Sequence, residues 1–191
     1  MSISLKSVKR DKSYIDDIKR LYLSAFPKEE RAPFRTLLRR AKRKNINFFA
    51  CVDNNEFVGL LYVVNHLDMS YIFYFAVKED KRGRGYGTAI LKAALKKYKG
   101  RRFFLAIEEV TQNHENYPQR LKRLRFYQNA GFVRSGQKMQ EAFVIFDLLG
   151  VGGAVDNKGY RALMKRFLGL RALLLPFKIF DNEEQSDDQT K

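Results

Sequence analysis

Cysteine is almost missing from this 191-residue chain: Cys51 stands alone, so no disulfide can close within it. Histidine occurs only twice, and C-x-x-C, H-E-x-x-H and carboxylates at metal-ligand spacing are all absent. Those gaps argue against a metal centre and against a nucleophile triad, so no metal is expected. No apolar run reaches the roughly 20 residues of a membrane-spanning helix, and the opening MSISLKSVKRDKS lacks the apolar core of a secretion signal. A reducing, cytoplasmic setting is the expectation, with Cys51 in NFFACV read as a buried strand residue.

What the chain does have is positive charge. A formal net charge of +16 accompanies a 45% hydrophobic and 30% charged composition, which is that of a soluble globular protein. The last eleven residues, Asp181 to Lys191, hold five acids against one lysine, so the body before them is more basic still. Such a field draws anions of every kind, including coenzymes, acidic substrates, nucleic acid and anionic lipid, without choosing among them. The length suits one main domain, able to bury roughly 70 % of the surface its unfolded form exposes.

Hydrophobic periodicity orders the chain. Ile3, Leu5 and Val8 suggest a short first strand; Ile15, Ile18, Leu21, Tyr22, Ala25 and Phe26 then share a helical stripe, with Asp11 or Ser13 as N-cap. Pro27 ends that helix. Pro33 is placed to be the first residue of a second helix, whose apolar side is Phe34, Leu37, Leu38 and Ala41 and whose other side carries Arg35, Arg39, Arg40, Lys42, Arg43 and Lys44. Without interleaved aromatics this basic side reads as solvated surface, and nucleic acid is disfavoured as a partner although the charge leaves it open. Asn47–Val52 and Phe57–Val64 form a hairpin, and a turn over Asn65–Ser70 leads into a strand over Tyr71–Val77. His66 lies in that turn and is read as a surface histidine.

From Tyr71 to Tyr98 a strand gives way to a glycine-rich basic turn and then to a helix carrying Ala89, Ile90, Leu91, Ala93, Ala94 and Leu95. The free N–H groups of a helix's first turn, aligned with its dipole, make an anion cradle, and glycine lets a phosphate approach the backbone. The spacing fits neither a Walker A loop nor G-x-G-x-x-G. Phe103–Ile107 is the next strand, parallel to Tyr71–Val77 because a helix connects the two. Pro118 opens a basic helix that runs to Ala130 and stops at Gly131, followed by strands over Phe132–Gln137 and Ala142–Leu148. Asp156 or Asn157 caps a further helix through about Leu168; LGLRALLLPFKIF then packs on the domain or on a partner subunit, and the acidic end is disordered.

Arg82-Gly83-Arg84-Gly85-Tyr86-Gly87 resembles the Q/R-x-x-G-x-G/A signature of the GNAT superfamily of acyl-CoA-dependent N-acetyltransferases. Arg125-Phe126-Tyr127-Gln128-Asn129-Ala130-Gly131-Phe132 resembles, in compact form, a second segment of that superfamily, about forty residues downstream and in the expected order. Glu79-Asp80, where relatives often have proline, is a departure. The resemblance implies an α/β (α+β) fold over residues 1–148. Its sheet would be mixed, mostly antiparallel and twisted, of about six to seven strands, with helices on both faces and a splayed central parallel pair. Residues 149–180 would form an amphipathic and apolar extension and 181–191 an acidic tail.

It also implies an enzyme that moves an acetyl group from acetyl-CoA to a primary amine within a ternary complex. The pyrophosphate of coenzyme A would sit on Arg82, Gly83, Arg84, Gly85, Tyr86, Gly87 and Thr88, with the pantetheine arm along the backbone of Phe75, Ala76 and Val77 and a further cofactor contact at Asn116. Tyr127 takes the place of the residue that gives a proton to the departing thiolate, for which a neutral phenol is suited. Glu108, at a strand end, is the general-base candidate, with His114 or water as alternatives. Glu29, Glu30 and Arg31 would meet the acceptor, although capping or surface ion pairing accounts for them about as well. The acceptor is a small-molecule or peptide amine, and a homodimer is allowed. The competing reading is a GNAT-like protein without turnover that binds nucleic acid or the ribosome through its basic surface.

Overall fold

The structure is a computed structural model and describes residues 1–141, 144–169 and 177–181. The chain divides into two compact units, Met1–Asn65 with Tyr71–Lys99, and His66–Ser70 with Gly100–Lys191.

In the first unit β1 (Ile3–Ser7), β2 (Ile46–Asp53), β3 (Glu56–His66) and β4 (Met69–Val77) lie side by side in that order. Strand β1 runs antiparallel to β2, and β2 to β3. Asn54 and Asn55, both at positive φ, close the β2–β3 hairpin, a conformation that asparagine tolerates better than most residues. Nearly every residue of β2 and β3 is buried, because helices cover both faces. On one face α1 (Ile15–Ala25) and α2 (Phe34–Ala41) bring Tyr22 and Phe34 against Phe48, Tyr62 and Tyr74, a run of tilted and edge-to-face ring pairs with centroids 4.9–6.2 Å apart. On the other, α3 (Tyr86–Lys97) lays Ile90 so close to Gly59 that a Cβ there would stand 3.1 Å from its Cδ1 and 2.6 Å from the Ala76 carbonyl oxygen. Only a residue without a side chain fits at that position.

In the second unit β5 (Arg102–Glu108), β6 (Val133–Glu141), β7 (Val144–Val151) and β8 (Phe177–Asp181) follow the order β5-β7-β6-β8, antiparallel throughout. Helix α4 (Tyr117–Ala130) is followed by Phe132, whose ring packs on Phe103 and Tyr127. Helix α5 (Asn157–Leu168) puts Tyr160 against Phe104 and Phe177, on the opposite face of β5. Arg101 and Arg102 fasten the start of β5. Arg101 donates to the Ser70 hydroxyl and the Leu67 and Met69 carbonyls, and Arg102 to both oxygens of Asp68, to Asp156 and to the Ala154 carbonyl.

The fold is thus mixed α/β with a mostly antiparallel sheet, as expected, but with eight strands among the described residues where six to seven were expected. The addition is β8, which falls in a stretch read only as an apolar extension. Its short pattern of Phe177, Ile179 and Phe180 buried beside exposed Lys178 becomes legible once β6 offers it an edge. Three local readings are corrected. Helix α1 has Tyr14, not Asp11 or Ser13, at its N-cap, because Asp11 accepts the Ser13 N–H in a tight turn before the helix begins. Pro33 is the cap of α2 and not its first residue, and α3 starts at Tyr86, so Gly87 lies inside its first turn. Asp156 caps α5 through the Gly159 N–H, as read from the sequence. Residues 142–143, 170–176 and 182–191, which include the start of one expected strand, most of LGLRALLLP and nearly all of the acidic tail, lie outside the described residues.

Candidate active site

The glycine turn leaves β4 through a single 3-10 turn, Glu79–Lys81, and enters α3 with Gly83 and Gly85 at φ of 71° and 82°. Those angles carry the backbone through the left-handed region, which L side chains rarely adopt. The Arg82 N–H reaches the Glu79 carbonyl, and the next amide with an acceptor is that of Ala89, whose N–H reaches the Gly85 carbonyl. Between them the amides of residues 83–88 find no acceptor among the described residues. The first turn of α3 holds no acid. Six consecutive donors at the positive end of a helix dipole, free of a competing carboxylate, fit a diphosphate.

The arginines divide the work. Arg82 turns back and donates from Nε to the Val77 carbonyl at 3.1 Å, bracing the loop on the end of β4, while Arg84 is exposed. Below the turn, Lys81 pairs with Glu56 at 2.6 Å, and the Tyr86 hydroxyl donates to Asp53 at 3.3 Å. The salt bridge and hydrogen bond to Glu56 raise the Lys81 pKa. Asp53, buried, also accepts the Ser2 N–H at 2.8 Å. Nothing in the local sequence marked Asp53 or Glu56, which ordinary hairpin residues would resemble.

Glu29 and Glu30 are exposed in a 3-10 turn between α1 and α2. Arg31 folds over that turn and donates to the Leu23 carbonyl at 2.8 Å. The turn is seated on Tyr74, whose hydroxyl donates to the Glu30 carbonyl and accepts the Ala32 N–H, and on Tyr22, which donates to the Ala32 carbonyl. Burial raises the Tyr22 pKa, so this hydroxyl serves as a fixed donor.

The second unit holds Glu108, His114, Asn116 and Tyr127. Tyr127 is half-buried on α4, its ring edge-on to Phe126 and Phe132 at 5.0 and 6.2 Å. Its hydroxyl has no hydrogen-bond partner among the described residues, and burial pushes its pKa up to about 12 against a smaller opposite effect of Arg123. A phenol so placed stays protonated far above neutrality. Glu108 ends β5 and is hydrogen-bonded to Arg123, with Arg120 at 3.8 Å from its other oxygen. Asn116 is the N-cap residue of α4, and its side chain accepts from Arg120 at 2.7 Å.

Next to them is a charge cluster whose members no local sequence pattern pairs. Lys138 reaches Glu109 at 2.7 Å and Asp147 at 2.9 Å; Asp147 also takes Arg134 at 2.7 Å and the Val110 N–H at 3.0 Å. Lys138 and Asp147 are buried, and His114 lies 3.8 Å from Glu109. Burial alone would lower the Lys138 pKa, but its bonds to Glu109 and Asp147 prevail and raise it. The available signal was Asp147 itself, a lone acid inside the apolar run Val144–Leu149. Among the described residues no group of three or more His, Cys, Asp or Glu could hold a metal ion, and no helix is long and apolar enough to cross a membrane.

Residues 15–132 match the acetyltransferase (GNAT) family. No curated protein matches the chain. Solved structures resemble it in fold: a GNAT-family protein from Bacteroides thetaiotaomicron (20% identity, TM-score 0.63, 91% of this chain and 96% of that one); the ribosomal-protein-S18-alanine N-acetyltransferase of Escherichia coli (14%, 0.58, 81% and 97%); and an aminoglycoside 6'-N-acetyltransferase complexed with coenzyme A (14%, 0.59, 79% and 96%).

Proposed function

Because the chain belongs to the acetyltransferase (GNAT) family, we propose that it transfers an acetyl group from acetyl-CoA to a primary amine by direct attack, with both substrates bound at once. The observation that carries this reading is the run of unengaged amides over residues 83–88. Gly83, Gly85 and Gly87 keep side chains off the diphosphate, the amides of Tyr86 and Thr88 complete the row, and Arg84 adds charge. Arg82 acts by holding the loop to Val77. As the family resemblance implies, the backbone of Phe75, Ala76 and Val77 would carry the pantetheine arm and Asn116, whose side chain accepts from Arg120, would make a further cofactor contact.

Bound acetyl-CoA supplies an acyl group activated as a thioester. The Tyr127 hydroxyl, unpartnered and protonated, is placed by this reading to donate its proton to the departing sulfur. Glu108 is the candidate to take the proton of the attacking amine. To do so it must loosen its contact with Arg123, and His114 or water are the alternatives. Arg31 is spent on the Leu23 carbonyl, which leaves the carboxylates of Glu29 and Glu30 as the exposed groups suited to an amine acceptor, whether small molecule or peptide.

Isothermal titration with acetyl-CoA, followed by thiol release against a panel of amines, tests the proposal. Saturable binding and amine-dependent thiol release are expected; absence of binding would overturn it.

A further inference from the structure

The charge on α2 is arranged, not merely abundant. From Arg31 to Val52 the chain has seven lysines and arginines and no acid, and from Met1 to Arg10 it has three and no acid. With about 100° of rotation per residue, Arg35, Arg39 and Lys42 fall within an arc of roughly 60°, rising about 6 Å and then 4.5 Å along the axis. All three are exposed, opposite the buried Leu37 and Ala41. None of the three forms an ion pair among the described residues. The second basic segment joins this row at its end: Lys9 Nζ donates to the Arg43 carbonyl at 2.6 Å, which brings exposed Lys9 and Arg10 beside the C-terminus of α2. The acid beside Arg10, Asp11, is turned onto the Ser13 N–H, and the acid nearest the α2 row in sequence is Glu30, five residues before Arg35.

We infer that this face of α2, extended by Lys9 and Arg10, is a docking surface for the phosphodiester backbone of a nucleic acid. An evenly spaced cationic row is what successive phosphates require. A membrane surface that holds a protein by insertion would call for large apolar side chains beside the cations, and a protein interface for aromatic or apolar anchors. The exposed large hydrophobic residues of the described chain are Met1, Leu23, Leu67, Val133 and Val144, none of them on α2. The lack of aromatics on the row, which in the sequence alone spoke for a solvated face and against nucleic acid, limits the contact to the phosphodiester backbone without base stacking and makes it tolerant of sequence. This surface is separate from the glycine loop and does not depend on the acetyltransfer reading.

The test is fluorescence anisotropy of the full chain with a labelled mixed-sequence 20-mer, as single-stranded RNA and as DNA duplex, over a salt series. The triple variant R35E/R39E/K42E is compared with K158E/R161E/K165E, which makes the same charge change at exposed positions of α5. The expected result is a loss of at least tenfold for the α2 variant, with the salt slope reduced by about two to three, a smaller loss for the α5 variant, and unchanged acetyl-CoA affinity and thermal melting for both. The stronger of the two arms identifies whether RNA or DNA is the source of the phosphates. Equal losses in the two variants would reduce the effect to overall charge and overturn the proposal. Equal binding of poly-glutamate would overturn it in favour of an acidic protein.

Discussion

The glycine loop over residues 83–88 and the charge cluster around Asp147 are built from the same materials, backbone amides and ionised side chains, in opposite ways. In the cluster the charges are paired: Asp147 takes Lys138, Arg134 and the Val110 N–H, and Lys138 divides itself between Asp147 and Glu109. In the loop a run of amides has no acceptor, in a segment where even the nearest arginine is used to hold the shape. A buried network that is complete is scaffold, since completing it is what makes burial tolerable. Donors held rigidly without acceptors are instead a place prepared for something that brings the acceptors with it.

The sharpest way to break this contrast is to fill the loop. Gly85→Asp puts a carboxylate where the diphosphate would lie; aspartate tolerates the left-handed backbone better than most residues, and the nearest atom to its Cβ would be the Met1 Cε at 3.5 Å. Calorimetry should show acetyl-CoA affinity down by a factor of about 1,000, roughly 4 kcal/mol, with a near-native circular dichroism spectrum. The converse change is Lys138→Met, which takes the ammonium from both Glu109 and the buried Asp147 and leaves Asp147 with Arg134 and the Val110 N–H. It should cost about 3 kcal/mol of stability in urea unfolding while the intrinsic affinity of the loop for acetyl-CoA changes little. An intact melting curve would show that the cluster is not scaffold.

Tyr127→Phe separates chemistry from binding. Turnover should fall by about 30-fold, roughly 2 kcal/mol, with acetyl-CoA affinity within a factor of two; equal rates would move the acid role to another group. The pH dependence has a definite sign. An acid with a raised pKa holds its proton longer, so the alkaline loss of activity tied to Tyr127 should begin well above pH 10 and approach 12, and it should vanish in the phenylalanine variant. The smallest effect is Asp156→Ala, which removes the α5 cap and should cost about 1 kcal/mol. The Gly159 N–H, and then Arg102, lower the Asp156 pKa, so this contribution is present above the ordinary carboxylate range and fades as pH falls through the lowered value. Melting measured from pH 7 to pH 2 should therefore bring wild type and variant together at the acid end.

Much of this was legible in the sequence where local rules and packing agree. The Asn54-Asn55 hairpin, the glycine stop at Gly131 and the Asp156 cap follow from residue chemistry within a few positions. The loop was legible because glycine spacing and the apolar flanks report a strand-to-helix turn directly. What was not legible depends on residues far apart in the chain. Asp53 with Tyr86, Glu109 with Lys138 and Arg123 with Glu108 each join separate elements, and no spacing rule pairs them. The start of α1 was misplaced for a related reason, since Asp11 can satisfy a turn or a helix equally well and the turn lies nearer.

Strand β8 has a practical consequence. By pairing with β6 from Gln137 to Glu141 it occupies a row of backbone groups that would otherwise be open to any passing strand, and it presents charged Lys178 and Asp181. A shortened protein ending at Gly169 would uncover that row. It should leave the glycine loop intact and still bind acetyl-CoA, yet clump as its concentration rises, so material trimmed for crystallisation or fused at this point would lose solubility before it lost activity.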